Sequence, residues 1–172
     1  MQKEFSYPVK IDELNQNTYK FVLKADVDEL KDITSVLQVV NVNFVEAEIF
    51  LKYTQREHLL RVWGNVKAQL VLKSVISLED FNQNFDVPFE INYDTKATYK
   101  DIREMDLGIN DNVPDIVENG VINLADVVME QIALNIDDYP RAEGENFDFS
   151  KYSTVSEEKK DNPFAVLAKL KK

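Results

Sequence analysis

The chain has 172 residues, 44% of them apolar and 30% charged, with a formal charge of −11. That allows one sizeable buried core and excludes the uniform basic footprint of a nucleic-acid-binding domain. Cysteine is absent, which excludes disulfides and thiolate zinc sites.

From the N-terminus, MQKEFSYPVKIDELNQ has no apolar core of the kind a secretion signal needs. No apolar run approaches ~18 residues, so no spanning helix is expected. Both readings point to a cytoplasmic protein with no membrane contact.

Phe5, Tyr7, Val9 and Ile11 alternate as one face of a strand, and Tyr19, Phe21, Leu23 and Ala25 form one face of a second. The period then changes. Leu30, Ile33, Val36, Leu37 and Val40 recur at helical spacing behind Asp26 and Glu29, an N-cap with its reciprocal partner, which predicts a helix over about 27–39.

Alternation returns in Val45, Ala47, Ile49, Leu51 and Tyr53, and after the polar stretch Thr54 to His58 it resumes from Leu60 to Leu72. Gly64 is the expected site of a bulge in that long run. Phe85, Val87, Phe89, Ile91 and Tyr93 make a further strand, in which Pro88 predicts an edge position or a strand start. Five strands with one polar face each predict an α+β fold: a curved antiparallel sheet or partly closed barrel.

A short helix is expected over 99–106. Asn119-Gly120 suits a type I′ turn, predicting a hairpin over about 115–123. Asn123 caps a second helix over 123–136, with Leu124, Val127, Val128, Ile132 and Leu134 as its apolar arc lying across the sheet. These elements make one domain over 1–139.

Residues 140–161 are polar and read as a flexible tether. Asn162 and Pro163 then open a short amphipathic helix over 162–172, with Phe164, Leu167 and Leu170 on one stripe and Lys169, Lys171 and Lys172 at its basic end. So short a helix is marginal alone and is expected to order on docking, to this domain or to a partner.

Charge is unevenly placed. Residues 1–76 carry ten residues of each sign, 77–150 carry four basic against 18 acidic, and 151–172 carry six basic against three acidic. The basic side chains of the long strand, Arg61, Lys67 and Lys73, share a face with Trp63, Asn65 and Gln69, and Lys20, Lys24 and Lys52 can join them depending on strand order. Basic and aromatic groups on a curved sheet can grip single-stranded nucleic acid, and they can equally be the wet side of a half-buried sheet.

Chemistry is sparse. His58 is the single histidine, so neither a Ser–His–Asp triad nor a multi-histidine metal site is possible. Glu79-Asp80 and Asp137-Asp138 are neighbours in sequence; adjacent strand residues point to opposite faces, and both pairs read as solvated surface. "INDNVPD" (109–115) lacks the glycine and terminal glutamate of a calcium loop, and no glycine-rich phosphate cradle exists. No cofactor, metal or small-molecule substrate is expected, and a hydrolase or isomerase has no nucleophile–base pair to work with.

Three stretches carry a resemblance: "KSVISLEDFNQNFDVPFEI" (73–91), "ENGVINLADVVMEQIALNIDDYPRAEG" (118–144) and "NPFAVLAKLK" (162–171). In order and spacing the chain resembles the YceD-like family of large ribosomal RNA subunit accumulation proteins over roughly 60–172. The resemblance implies a non-enzymatic cytoplasmic factor that supports large-subunit (23S) ribosomal RNA. Many members carry Cys-x-x-Cys in the first stretch; here Ser74 and Ser77 stand there, and serine does not replace a thiolate on zinc.

The acidic 77–150 segment suits a basic ribosomal or assembly protein, with Asn162, Pro163, Phe164, Leu167 and Leu170 as a helix-in-groove anchor. The alternative is direct binding of precursor ribosomal RNA through Arg61, Trp63, Lys67 and Lys73.

Overall fold

In the computed structural model, which describes residues 4–98, 100–101 and 115–146, alternation and helical periodicity have sorted most of the chain as their spacing dictates. The elements in chain order are β1 (Pro8–Lys10), a 3-10 turn (Ile11–Glu13), β2 (Thr18–Lys24), α1 (Val27–Leu37), β3 (Asn41–Thr54), β4 (Leu59–Lys73) and β5 (Asp80–Asp94). They are followed by β6 (Asp115–Ile116), a second 3-10 turn (Glu118–Gly120), β7 (Val121–Asn123) and α2 (Leu124–Asn135). The fold is α+β, with two helices against a five-stranded sheet ordered β2-β3-β4-β5-β6. All its pairings are antiparallel except the short β5–β6 contact. The sheet stays open, so of the two forms allowed by the pattern it is the curved sheet and not the barrel that forms.

The cap of α1 is the one its sequence specifies. Asp26 Oδ1 accepts the N–H groups of Asp28 and Glu29, each at 3.0 Å, and Glu29 Oε2 accepts the Asp26 N–H at 2.8 Å. At the other end Gln38 turns left-handed, with φ 54°. Ile33 is fully buried, Leu30 and Leu37 pack against the core, and Val36 and Val40 are exposed.

The inward face of the sheet carries Leu23, Val45, Ala47, Ile49, Leu51, Leu60, Val62, Val66, Ala68, Leu70, Phe85, Val87 and Phe89. It joins Ile33 of α1 and Leu124, Ala125, Val128 and Ile132 of α2 in one core. Each fully buried large aliphatic contributes about 1.5–3 kcal/mol, so this single interface accounts for most of the hydrophobic stabilisation.

Four expectations are corrected. Gly64 makes no bulge: it stays in register between Ile49 and Phe89, and a Cβ there would lie 2.0 Å from the Glu48 carbonyl oxygen. The glycine permits close backbone approach, while the irregularity falls at Val42/Phe44 in β3.

The first strand does not enter the main sheet. β1 pairs antiparallel with β7, Val9 opposite Ile122, and clamps the start of α2: the Tyr7 N–H donates to Asn123 Oδ1 at 2.7 Å, and the Leu124 N–H to the Tyr7 carbonyl at 3.0 Å.

Asn119 and Gly120 have positive φ, 55° and 66°. Yet the strands flanking them pair with β5 and β1 rather than with each other, so no hairpin forms. Finally, Leu134 is 72% exposed while Ala125 is buried; the buried arc of α2 is rotated away from its last turn.

Pro88 lies where β5 has β4 on one side only, an edge at which a missing N–H costs no ladder bond. Of the helix expected over 99–106, only 100 and 101 are described, and both are helical. The chain divides into two units, Met1–Ala142 and Glu143–Lys172. The tether expected over 140–161 lies mostly outside the described residues, and the helix expected over 162–172 lies wholly outside them.

Candidate functional site

Strand register brings the sequence-predicted basic cluster together on the outward face of the sheet. Arg61 stands opposite Lys52 of β3 and Asn92 of β5; Trp63 stands between Phe50 and Glu90; Lys67 between Glu46 and Asp86. β2 adds Lys20 opposite Phe50 and Lys24 opposite Glu46. At the centre the Phe50 and Trp63 rings stack at 5.7 Å and 18°, with the Arg61 guanidinium 5.0 Å from the Trp63 ring and the Lys20 ammonium 5.6 Å from that of Phe50. Cation–π geometry of this kind is worth about 0.5–1 kcal/mol at an exposed site.

Five of the six cations of this face, all but Lys52, stand in ion pairs. Lys20 pairs with Glu48 at 2.6 Å, Lys24 with Glu46 at 2.7 Å, Arg61 with Glu90 at 2.7 Å, Lys67 with Asp86 at 3.9 Å and Lys73 with Asp80 at 2.6 Å. The hydrogen bond between Arg61 and Glu90 raises the pKa of the first and lowers that of the second.

Between the ion pairs runs an amide ladder. Asn43 Nδ2 donates to Gln69 Oε1 and Asn82 Oδ1, Gln69 Nε2 to Asn84 Oδ1, and Asn65 Nδ2 to Asp86 Oδ1. A groove of about 500 Å³ lined by Val22, Lys24, Glu46, Glu48, Asn65 and Lys67 opens on this face. Its charged groups are already ion-paired, Lys24 with Glu46, Glu48 with Lys20 and Lys67 with Asp86.

The five carboxylates were the missed part of the cluster. Their signal was present, since Glu46 and Glu48 share the outward parity of β3 and Asp86 and Glu90 that of β5; which of them meets which lysine depends on register.

The second half of the fold displays charge differently. Glu79, Asp115, Asp126, Glu130, Asp137 and Asp138 make no ion pair among the described residues. Burial pushes the Tyr93 hydroxyl well above its ordinary pKa, and the nearby charges of Glu130 and Asp115 push it in the same direction. Asp115 of β6 and Glu130 of α2 therefore bear on one spot.

Ser74 and Ser77 build the turn between β4 and β5. Ser74 is buried, and its Oγ accepts the N–H groups of Ile76 at 3.1 Å and Ser77 at 3.3 Å. Ser77 Oγ accepts the Glu79 N–H at 3.3 Å. Both hydroxyls are thus bonded to backbone.

His58 lies exposed in the β3–β4 turn with φ 53°, and its carbonyl accepts from the Thr95 N–H and Oγ1. Among the described residues no three His, Cys, Asp or Glu side chains cluster closely enough to hold a metal ion. Nor is any helix there long and apolar enough to cross a membrane. Asn162, Pro163, Phe164, Leu167 and Leu170 lie outside the described residues.

Searches of characterised proteins and of solved structures return no match. A family model does match: YceD, the large ribosomal RNA subunit accumulation protein, over residues 62–171. The match runs from near the start of β4 through β5 and α2; it takes in the acidic surface of α2 and β6, while Lys20, Lys24, Glu46, Glu48 and Arg61 of the sheet face lie before it. The family's role is in large-subunit ribosomal RNA accumulation, and it is not known as a family of enzymes. With that model covering well over half its length, the chain belongs to the YceD family.

Proposed function

We propose that this protein supports the synthesis, processing or stability of large-subunit ribosomal RNA by binding a basic ribosomal or assembly protein in the cytoplasm, and not by gripping the RNA on its sheet. One observation carries the reading. On the sheet face the cations Lys20, Lys24, Lys52, Arg61, Lys67 and Lys73 face the carboxylates Glu46, Glu48, Asp80, Asp86 and Glu90, and five ion pairs result.

Affinity for a phosphate backbone comes from counterions released by unneutralised cations. A face with a net charge of about +1 releases few. To bind RNA, Arg61, Lys67 and Lys73 would first have to break contacts to Glu90, Asp86 and Asp80. The acids of α2, β6 and the 137–138 turn have no such partners among the described residues and complement a basic surface.

The stripe of Phe164, Leu167 and Leu170 behind Asn162 and Pro163 suits a helix-in-groove contact with the same partner.

The test is a two-armed binding measurement on the full chain, with purified large-subunit ribosomal RNA in one arm and RNA-free protein extracted from large subunits in the other. Binding in the protein arm, weakened by salt, is expected. Binding confined to the RNA arm, and abolished by alanine at Arg61 and Lys67, would establish the sheet face as an RNA grip instead. Truncation after Asp161 is expected to lower recovery of the protein partner while leaving the melting temperature unchanged.

A further inference from the structure

The turn between β4 and β5 combines features that the core does not explain. It is closed three ways: the Ser74 N–H donates to the Glu79 carbonyl at 2.9 Å, the Leu78 N–H to the Ser74 carbonyl at 3.1 Å, and Ser74 Oγ accepts two further N–H groups. Within this rigid loop Leu78 sits at φ 62°, a region that bulky apolar residues rarely occupy. Its side chain is 69% exposed. Folding gains almost nothing from that leucine, and a glycine or asparagine would fit the backbone better.

The neighbours are of the same kind. Val75 is exposed, and its N–H donates to the Pro140 carbonyl at 2.9 Å, which fastens the segment after α2 against the turn. The residue before that proline, Tyr139, is 73% exposed and is oriented by its N–H donating to Asp137 Oδ1 at 2.9 Å. Around these three apolar side chains the sequence places Glu79, Asp137 and Asp138, which make no ion pair among the described residues; the nearby cations are Arg141 and Lys73, and Lys73, which donates to the Leu78 carbonyl at 3.3 Å, is paired with Asp80 at 2.6 Å.

Exposed apolar groups with a polar rim mark a contact surface, and the rim here carries an excess of acid. The sign selects a partner of opposite charge.

We infer that Val75, Leu78 and Tyr139 form the docking surface for a basic protein segment, with one or two of its apolar side chains seated on Leu78 and Tyr139 and its lysines or arginines facing Glu79, Asp137 and Asp138. This rests on the protein-partner reading above and places it at one corner of the domain. The turn holds its shape without the partner, so binding need not order it, which lowers the entropic cost of association.

The probe is RNA-free protein extracted from purified large ribosomal subunits, passed over immobilised full-length wild-type, Leu78→Asn, Tyr139→Ser and Lys67→Ala proteins. Melting temperatures are measured alongside. Asparagine tolerates positive φ, so Leu78→Asn is expected to melt at or above the wild-type temperature while losing tenfold or more in binding. Tyr139→Ser is expected to lose a similar factor, and Lys67→Ala none.

Wild-type binding that survives both Leu78→Asn and Tyr139→Ser overturns the surface and leaves the protein-partner reading standing. A wild type that retains none of the extracted protein overturns both. A marked fall in the melting temperature of Leu78→Asn would assign the leucine to folding and also overturn the proposal.

Discussion

On the open face of the sheet, Lys20 meets Glu48, Lys24 meets Glu46 and Arg61 meets Glu90, all within 2.7 Å. On α2, β6 and the turn after α2, by contrast, Asp126, Glu130, Asp115, Asp137 and Asp138 are exposed and make no ion pair among the described residues. Both surfaces are rich in charge, and the second has far more of it left to offer. The first spends its ions across strands, where exposed pairs contribute little to stability, about 0–1 kcal/mol each. What they do is set the sheet's register and discourage wrong neighbours along the open β2 and β5 edges. Counting lysines on a strand thus measures the potential for binding; pairing determines what remains.

The strongest way to break this comparison is to attack the sheet from its dry side. Leu70→Ala, at a fully buried position, is expected to cost about 2–5 kcal/mol, whereas Lys67→Ala on the wet face of the same strand stays within about 0.5 kcal/mol. Gly64→Ala belongs with the large effects, although glycine to alanine within a strand ordinarily helps. The new methyl would meet the Glu48 carbonyl at 2.0 Å, backbone that cannot step aside, and overpacking of this kind costs about 1–3 kcal/mol. Urea denaturation of the three variants measures all of it. Equal losses for Leu70→Ala and Lys67→Ala would erase the distinction between the faces.

A smaller effect sharpens the wet face itself. If the Phe50–Trp63 stack is structural, Trp63→Ala lowers stability by about 1 kcal/mol and leaves ribosomal RNA binding where it was. A Trp63→Ala protein of unchanged stability, with RNA affinity lost, would return the aromatic pair to the role of a stacking platform.

How much of this was legible beforehand depends on range. The Asp26–Glu29 cap, the strand parities of β2 to β5 and the edge position of Pro88 are local consequences of residue type, and each appears where its pattern puts it. The partner of β1 is 110 or so residues away in sequence, so no local pattern could show that Val9 meets Ile122.

Asn119-Gly120 specified positive φ correctly, but a turn's dihedrals do not say which strands its arms will join. Gly64 was misread for a related reason: its close contact is with another strand's carbonyl. The neutralisation of Arg61, Lys67 and Lys73 belongs with these, since Glu90, Asp86 and Asp80 become neighbours only once β4 and β5 are in register. Leu78 carried no sequence signal at all; its strain exists only in the folded turn.

The smallest effect concerns Asp94, an acid from the negative half that found a partner in the backbone rather than in a cation. Its Oδ1 accepts the N–H groups of Lys96 at 2.7 Å and Ala97 at 2.8 Å. Those bonds, first that from Ala97 and then that from Lys96, hold its pKa below the ordinary 3.8, with His58 and Lys96 adding a weaker attraction. A depressed pKa in the folded state means the ionised carboxylate stabilises the fold above the unfolded value. That contribution disappears as pH falls through the folded one.

Asp94→Asn keeps an oxygen acceptor and loses the charge, so at neutral pH it is expected to be less stable by a few tenths of a kcal/mol. The gap between the two melting curves should hold from pH 7 down to about 4 and close below that, as the wild-type carboxylate takes up its proton. A gap that persists unchanged at pH 2.5 would show that the Asp94 turn is held by shape alone, with charge contributing nothing there.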